Sequence, residues 1–455
     1  MKEKRIPTEL GTQKIGRLLM NYATPAIIAM TASSLYNIID SVFIGHGVGP
    51  LAISGLALTF PLMNLFAAFG SFVGVGSATM TSVRLGQKDY DSANVILGNC
   101  LTLNILFGIT LTILGLLFLD PILLFFGASA NTLPYAHDFM VIILIGNIVT
   151  HMYFGLNAML RASGAPEKAM YATIGTVLIN IILNPLFIFG LNMGVRGSAL
   201  ATVISQLAAL IWQLKFFSNS KNFLHIKQSA MRLRSIIVKD IMSIGMSPFL
   251  MNLGSCLIVI LINKGLNKFG GDMAIGAFGI VNRYVFVFVM IVLGFNQGMQ
   301  PIAGYNFGAK QYGRVNQVLK LTSIWATIVT TLGFVIAELF PEAIVYAFTS
   351  DKELIRQSVE GLRIVCVTFP IIGFQMVIAN FFQSIGMAKK AIFLSMTRQI
   401  IFLIPAILIM PLFWQLEGIW WSMPFSDLLS TVTSGTMLYL QFRKFKTLEN
   451  NQIAH

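Results

Sequence analysis

The sequence predicts an all-α polytopic membrane protein with twelve transmembrane helices, arranged as two pseudo-symmetric lobes of six helices each. Three observations predict this fold class: an apolar composition, apolar segments of spanning length along the chain, and an internal repeat. Hydrophobic residues make up 56% of the 455 residues and charged residues only 11%, whereas soluble domains carry about 25% charged residues. The mean hydropathy of +0.76 indicates a chain that lies largely in lipid.

Apolar segments of spanning length recur from one end of the chain to the other. A helix needs about 20 apolar residues to cross the hydrocarbon core of a bilayer. Twelve spans are predicted, with centres near residues 30, 66, 106, 147, 179, 206, 252, 288, 325, 370, 401 and 430. No segment of useful size is left for a soluble domain.

The net charge of +13 follows the membrane topology and does not indicate nucleic-acid binding. With a cytoplasmic N-terminus, 23 of the 31 Lys and Arg residues fall on the cytoplasmic side and 5 on the opposite side. This bias is the positive-inside rule, and it places both termini in the cytoplasm. The three cysteines lie in predicted helices without disulfide or metal-ligand spacing. The sequence shows no cleavable signal, so we expect a multi-pass protein of an inner or plasma membrane.

The two halves of the chain resemble each other at an offset of 222 residues. The pattern Gly-x-Lys-x-Tyr follows the second span of each half, at residues 86–90 and 308–312. Further matches at this offset pair Gly76 with Gly298, Asn94 with Asn316, and Leu97 with Leu319. Because each half holds an even number of spans, the halves share one orientation in the membrane, as parallel repeats do.

The repeat predicts the domain organisation. The expected domains are an N-terminal lobe over residues 1–218, a basic cytoplasmic linker over residues 219–238, and a C-terminal lobe over residues 239–455. Paired bundles of this kind commonly rock against each other around a central cavity, which is alternating access. The alternative is one static bundle.

Asp40 lies inside the first apolar span, where a charge is unusual. A carboxylate at the centre of a bilayer costs about 2.5–3.5 kcal/mol on the insertion scale. Acidic groups at this depth commonly bind a cation or carry a proton. The alternative is a structural Asp satisfied by hydroxyl groups such as that of Tyr36. The residue 222 positions further on is Ile262, so the role of Asp40 belongs to the N-terminal half alone.

Further polar residues occur in the later spans of the N-terminal half. Asn180 and Asn184 are four residues apart and share one helix face; Asn157 and Thr202 lie in the neighbouring spans. Hard cations such as Na⁺ prefer carboxylate, amide and hydroxyl oxygens. With Asp40, these side chains form either a Na⁺ site or a hydrogen-bonded cage around a protonated carboxyl group. Taken singly, each of the Asn and Thr residues is better explained by hydrogen bonds that hold helices together, and it is their combination with Asp40 that favours an ion site.

Four motifs together resemble the multidrug and toxic compound extrusion (MATE) family, most closely its bacterial DinF-like and MepA-like branch. They are LYNIIDSVFIG at 35–45, LALTFP at 56–61, NIILNPLFIFG at 180–190 and QPIAGYNFGA at 300–309. The resemblance covers essentially the whole chain. It implies a V-shaped, alternating-access transporter of the bacterial inner membrane that exports cationic or amphipathic organic compounds against an inward H⁺ or Na⁺ gradient.

The resemblance also implies an ion-coupling cluster in the N-terminal lobe, which Asp40, Asn157, Asn180 and Thr202 match here. This chain has Asn184 where the branch often has Asp. The loss of that carboxylate favours coupling to H⁺ over Na⁺. No cofactor is implied beyond the coupling ion. The expected partners are drug-like small molecules and the lipid bilayer, and a two-lobed transporter of this kind can act as a monomer.

The C-terminal half contributes candidates for a substrate cavity. Asp427 lies deep in the last span, where it either meets a cationic substrate or has a structural role, and Arg283 and Arg398 either pair with such acids or extend to the interface. Together with Tyr36 they are the predicted cavity residues. Glu338 lies near a helix end, where a hydrated position is expected.

The sequence is less consistent with two other function classes. A lipid-linked oligosaccharide flippase would require several basic residues in its cavity, and the sequence offers few. A membrane-embedded enzyme is disfavoured because the sequence has no HExxH, GxSxG or P-loop motif. Transport is therefore the expected function.

Overall fold

The computed structural model describes residues 8–453. Within this range, side chains are described except at positions 35, 37, 38, 41, 42, 45, 46, 50, 53, 54, 57, 272, 446 and 448–453. The described chain consists of α-helices with two short π-helices and one 3-10 helix, Gln228–Met231, and it has no strand. Most connections are short turns, and the longest lies between α9 and α10. The α-helices are α1 (Glu9–Thr12), α2 (Ile15–Gly47), α3 (Pro50–Gly86), α4 (Tyr90–Leu117), α5 (Leu119–Phe125), α6 (Leu133–Ile145), α7 (Asn147–Ala162), α8 (Pro166–Pro185), α9 (Gly194–Ser218), α10 (Ser235–Gly308), α11 (Tyr312–Leu339), α12 (Pro341–Tyr346), α13 (Lys352–Cys366), α14 (Phe369–Ser384), α15 (Ala388–Met396), α16 (Ile404–Ile409) and α17 (Pro411–Ile453).

The twelve predicted spans all coincide with helices. Eight segments of the described chain are long and apolar enough to cross a membrane, and two bent helix pairs bring this number to ten. Helices α2 and α17 occupy the remaining two predicted positions. Helix α10 supplies two spans, Ser235–Gly271 and Met273–Gly308, because Gly271 breaks it with a φ of 64°. The predicted fold class is confirmed.

Two of the predicted spans are bent. The pair α6 and α7 bends by 56°, and the pair α13 and α14 bends by 54°. Pro370 occupies the first turn of α14, where its missing N–H is tolerated, and so favours a new helix start there. Gly146 separates α6 from α7, and Val203 of α9 packs so close to it that a Cβ would lie 2.4 Å from the valine side chain.

The internal repeat is visible in the backbone. Helices α4 and α11 begin 222 residues apart and also end 222 residues apart. Left-handed backbone conformations recur at the same offset in three pairs: Gly49 with Gly271, Lys88 with Lys310, and Gly164 with Gly386. Lys88 and Lys310 are the central residues of the two Gly-x-Lys-x-Tyr patterns, with φ of 62° and 58°. The repeated pattern therefore encodes a repeated helix-to-helix turn.

The described chain divides into two compact units. The first contains residues 8–12 and Ile28–Phe249, and the second contains Gln13–Ile27 and residues 250–453. Residues 13–27 thus belong with the C-terminal half, and the start of α10 belongs with the N-terminal half. In the first unit α3 packs against α4 and α7, and α8 packs against α9; in the second, α14 packs against α11 and α17. The predicted lobes of 1–218 and 239–455 stay a prediction.

The segment between α9 and α10 lies along α4, and we call its residues 223–234 the strap. Asn94 of α4 donates to the carbonyl of Phe223 at 3.2 Å and accepts from the N–H of His225 at 2.9 Å. The side-chain amide of Asn99 bonds main-chain carbonyl and N–H groups of the strap in the same way, at 2.9–3.2 Å. These contacts satisfy main-chain groups of an irregular segment, and they fix the strap to the first unit.

Candidate functional site

Three helices of the first unit bring polar side chains to one place. Each helix contributes two residues that are four positions apart and therefore share a helix face. The pairs are Tyr36 and Asp40 on α2, Asn180 and Asn184 on α8, and Ser198 and Thr202 on α9. The structure therefore brings together four of the five predicted ion-coupling residues, and it adds Ser198.

Asp40 is held by two neutral donors on one oxygen. The hydroxyl of Ser198 donates to Oδ1 of Asp40 at 2.6 Å. The Nδ2 group of Asn184 donates to the same oxygen. Ser198 and Asn184 are fully buried, and Asp40 is half-buried. Hydrogen bonds to an ionised group are stronger than those between neutral groups, so these two contacts tie α2 to α8 and α9.

Thr202 lies at the centre of a second set of hydrogen bonds. It donates to the carbonyl of Ser198 at 3.1 Å, and it accepts from Tyr36 at 2.8 Å and from Nδ2 of Asn180 at 3.2 Å. Asn184 Nδ2 also lies 3.4 Å from Oδ1 of Asn180. The two sets form one continuous network, because Asn180 and Ser198 link Thr202 to the partners of Asp40.

Helix α8 changes its geometry directly after Asn184. Pro185 ends the α-helix, and residues Leu186–Gly190 continue as a π-helix. Proline lacks the N–H that an α-helix would use at this position, and single turns of π-helix are frequent at functional sites. The Oδ1 atom of Asn184 is buried and has no hydrogen-bond partner among the described residues. The amide therefore keeps an unused acceptor beside Asp40.

Asn157 forms hydrogen bonds elsewhere. Its Nδ2 donates to the carbonyl of Ala169 at 3.0 Å and to the hydroxyl of Thr173 at 3.3 Å, and its Oδ1 accepts from Arg161. These contacts join α7 to the start of α8. The structure does not place Asn157 in the hydrogen-bond network of Asp40.

Ser198 is not among the residues predicted from the sequence. Its position four residues before Thr202 was the available signal, because that spacing puts both hydroxyl groups on one face of α9. A serine within an apolar helix usually bonds its own helix backbone, so the spacing alone did not single it out.

The candidates of the C-terminal half form a different arrangement in the second unit. The Nε group of Arg398 donates to Oδ1 of Asp427 at 2.7 Å, and the side chain of Asp427 is only 7% exposed. Thr368 donates to the other carboxylate oxygen at 3.4 Å. Arg398 lies in a π-helix, Thr397–Leu403. The charge of Asp427 is therefore neutralised by a neighbouring cation.

The remaining candidates stand apart from this pair. Arg283 is exposed on the second segment of α10. Glu338 lies 3.9 Å from Arg363 and is partly exposed, near the end of α11. Within the described part of the chain, no group of three His, Cys, Asp or Glu side chains could hold a metal ion.

Comparisons with known proteins identify the family. The MatE family model matches residues 25–186 and 244–408. The multidrug export protein MepA of Staphylococcus aureus (strain MSSA476) is 26% identical over 424 residues, which cover 93% of each chain. MepA of Staphylococcus haemolyticus (strain JCSC1435) is 26% identical over 90% of each chain.

Solved structures agree with this assignment. The MATE multidrug transporter DinF-BH is 38% identical to this chain, with a TM-score of 0.88 over 96% of this chain and 98% of its own. An outward-facing MATE family transporter superposes with a TM-score of 0.92 at 22% identity over 98% of this chain and all of its own. The prediction made from the sequence motifs is confirmed: the chain belongs to the MatE family, whose named relatives are transporters.

Proposed function

We propose that this protein exports drug-like organic cations in exchange for protons, with Asp40 as the coupling carboxylate. The observation that carries the proposal is the network around Asp40, in which α8 and α9 both bind one carboxylate oxygen of α2. The names of the MepA relatives and of DinF-BH support multidrug export as the transport function.

The network suits a group that gains and loses a proton. A carboxylate within an apolar span is costly, and two hydrogen bonds from neutral donors stabilise its charged form. Protonation removes the charge and weakens these bonds. The same event therefore changes both the charge inside the span and the strength of the link from α2 to α8 and α9.

The orientation of the two asparagine amides favours H⁺ over Na⁺. A bound Na⁺ requires several oxygen ligands pointing at it. In the network, Asn184 turns its Nδ2 toward Asp40, and Asn180 turns its Nδ2 toward Thr202. Amide nitrogens repel a cation. Sodium binding would require both amides to rotate, whereas proton binding requires no such change.

Protonation of Asp40 is proposed to drive drug release. In the ionised state, Ser198 and Asn184 hold α2 against α8 and α9. In the protonated state that hold weakens, and α2 is free to bend and narrow the space available to a bound drug. Protons that enter from outside would thus promote release on that side, as antiport requires.

The protein is proposed to work as a monomer in the bacterial inner membrane. Both termini are proposed to lie in the cytoplasm, because basic residues concentrate on that side.

Apolar and Met-rich surfaces can repack around unlike ligands. The 36 Phe and 23 Met residues therefore suit the recognition of many amphipathic compounds.

Efflux from proteoliposomes tests the proposal. Export of a fluorescent organic cation is measured with a proton gradient alone and with a sodium gradient alone, for the wild type and Asp40→Asn. Transport that follows the proton gradient and is lost in Asp40→Asn supports the proposal. Coupled transport that persists in Asp40→Asn would refute the role of Asp40, and transport driven only by sodium would refute proton coupling.

A further inference from the structure

A groove on the surface of the second unit lies apart from the proposed coupling site. Its volume is about 580 Å³, within the range of about 300–1,000 Å³ typical of small-molecule sites. Three helices line the groove. Helix α14 contributes Phe374, and α17 contributes Leu438 and Phe442. The remaining lining residues all belong to α11: Asn316, Leu319, Lys320, Ser323, Ile324, Thr327 and Ile328.

The α11 side of this groove carries a polar stripe. Asn316, Lys320, Ser323 and Thr327 recur at intervals of three and four residues, so they share one helix face. Ser323 is only 9% exposed. Asn316 Oδ1 and Ser323 Oγ are both buried without a hydrogen-bond partner in the part of the chain that is described. Buried polar groups are normally satisfied, so these two atoms are available to bind polar groups of a molecule in the groove.

The exposed surface next to the groove has the apolar character of a lipid-facing surface. From the groove onward, α11 presents a row of apolar side chains that are each between 40% and 66% exposed: Ile324 and Ile328, which also line the groove, and then Leu332, Val335 and Leu339. These residues also follow helical spacing, and the row continues the open side of the groove along the span. A ligand that enters from the bilayer therefore reaches the polar stripe directly.

The internal repeat shows that the corresponding groove of the first unit is filled. Asn316 and Leu319 correspond to Asn94 and Leu97 of α4 at the offset of 222. In the first unit the strap occupies this face, and Asn94 uses both of its amide atoms to bind it. In the second unit α17 continues as a helix to Ile453, so no segment of the described chain plays the part of the strap.

A peptide would not fit the second groove as the strap fits the first. The strap approaches α4 at Gly98, where a Cβ would lie 2.3 Å from the carbonyl oxygen of Ala230. The residue at the corresponding position of α11 is Lys320. The Lys320 side chain prevents a main chain from approaching α11 as closely as the strap approaches α4. It also places a positive charge where the strap would lie.

We propose that this groove binds a glycerophospholipid with an anionic headgroup from the cytoplasmic leaflet. Lys320 binds the phosphate, the stripe from Asn316 to Thr327 binds the glycerol and ester groups, and one acyl chain packs on Phe374 and Leu438. Charge complementarity and the open lipid-facing side together select this ligand. The site is independent of the network around Asp40.

The depth of Lys320 agrees with this orientation. Helix α11 has 28 residues, so it is about 42 Å long and extends about 6 Å beyond each side of a ~30 Å hydrocarbon core. Lys320 lies about 12 Å from the start of the helix, and the long side chain carries its ammonium group to the headgroup region. The start of α11 is the predicted cytoplasmic end, where anionic lipids attract basic residues.

Native mass spectrometry of the full-length, delipidated transporter tests the proposal. The protein is titrated with phosphatidylglycerol or phosphatidylcholine, for the wild type, Lys320→Gln and Ile324→Trp. Lys221→Gln is the matched control, because Lys221 is exposed in the loop before the strap. We expect Lys320→Gln to weaken phosphatidylglycerol binding about fivefold, which corresponds to ~1 kcal/mol for one basic residue near an anionic surface. Ile324→Trp narrows the groove and should lower the occupancy of this lipid as well.

Each alternative result is informative. Phosphatidylglycerol binding that falls in both groove variants and is unchanged in Lys221→Gln supports the proposal. Equal binding of phosphatidylcholine and phosphatidylglycerol would refute selection by charge. Stabilisation by inorganic phosphate alone, measured by thermal unfolding, would replace the lipid with a free anion. Displacement of the bound lipid by a transported dye would instead make the groove a drug site.

Discussion

Ser198 of α9 and Asp40 of α2 are joined by a 2.6 Å hydrogen bond, and Asn184 of α8 donates to the same carboxylate oxygen. One oxygen thus holds three helices together. This arrangement concentrates the proposed coupling in few bonds, because any change at that oxygen acts on both neighbouring helices at once.

Replacing Ser198 with alanine should impair coupling more than folding. The variant removes one of the two donors that the described residues supply to Asp40, and a hydrogen bond to a charged group contributes about 1.5–3 kcal/mol. We expect proton-driven efflux to fall about tenfold or more, while binding of the dye to the detergent-solubilised protein is kept. Ser205→Ala is the matched control, since among the described residues Ser205 bonds only the carbonyl of Thr202 on its own helix. Equal losses in both variants would contradict a specific role for Ser198.

Replacing Asn184 with aspartate should change the ion that drives transport. The variant replaces the amide beside Asp40 with a second carboxylate, and two close carboxylates either share a proton or bind a hard cation such as Na⁺ through their oxygens. We expect efflux from proteoliposomes to respond to a sodium gradient in Asn184→Asp and not in the wild type. Asn157→Asp is the control, because Asn157 lies beside Arg161 and outside the network. A sodium response in the wild type would contradict the proposed ion preference.

The pair Arg398 and Asp427 should matter for stability. Removing one partner of a fully buried pair costs about 3–5 kcal/mol. The Arg398 side chain is 32% exposed, so we expect a smaller loss of about 1–3 kcal/mol for Arg398→Gln, since solvent screens a partly exposed pair. Thermal unfolding in detergent measures this loss of stability. Because Asp427→Asn removes the unpaired charge, the double variant should be more stable than Arg398→Gln alone. Additive losses would show that the two residues do not interact energetically.

Gly98 should be intolerant of any side chain. A Cβ at this position would lie 2.3 Å from the carbonyl oxygen of Ala230 in the strap, and overpacking of this kind typically costs about 1–3 kcal/mol. We expect Gly98→Ala to lower the thermal unfolding temperature and to expose the strap to protease. Gly175→Ala is the control, because nothing lies within 4 Å of its Cβ position. A protease-resistant strap in Gly98→Ala would contradict the close approach.

The sequence predicted the features that depend on local pattern. Apolar segments placed all twelve spans, and the repeated Gly-x-Lys-x-Tyr marked a turn in which Lys88 and Lys310 both adopt left-handed backbone. The i, i+4 spacing of Asn180 and Asn184 correctly placed both amides on one face, and the structure turns that face toward Asp40.

Features that depend on contacts between distant segments could not be predicted in this way. Asn94 and Phe223 are 129 residues apart, so no local pattern reveals the strap. Asn157 has the same residue type and burial as Asn180, but its partners lie at the start of α8. Arg398 and Asp427 were both recognised as intramembrane charges, and only the structure establishes that they pair with each other.

Replacing Pro25 with alanine should raise stability and lower transport at the same time. Pro25 lies inside α2, just before the point where the helix passes from the second unit to the first, between Ile27 and Ile28. A proline in a helix interior is up to ~3 kcal/mol less favourable than alanine, because it removes a main-chain hydrogen bond and crowds the preceding turn.

The alanine variant restores that hydrogen bond and makes bending of α2 more costly. If bending accompanies protonation of Asp40, Pro25→Ala should unfold at a higher temperature and still bind dye, but transport it more slowly in proteoliposomes. The control is Ala32→Pro, which places a second proline in α2. It should lower the unfolding temperature and should not restore the transport rate. Transport at the wild-type rate in Pro25→Ala would show that α2 does not need to bend, and the coupling of Asp40 would then have to act through α8 and α9 alone.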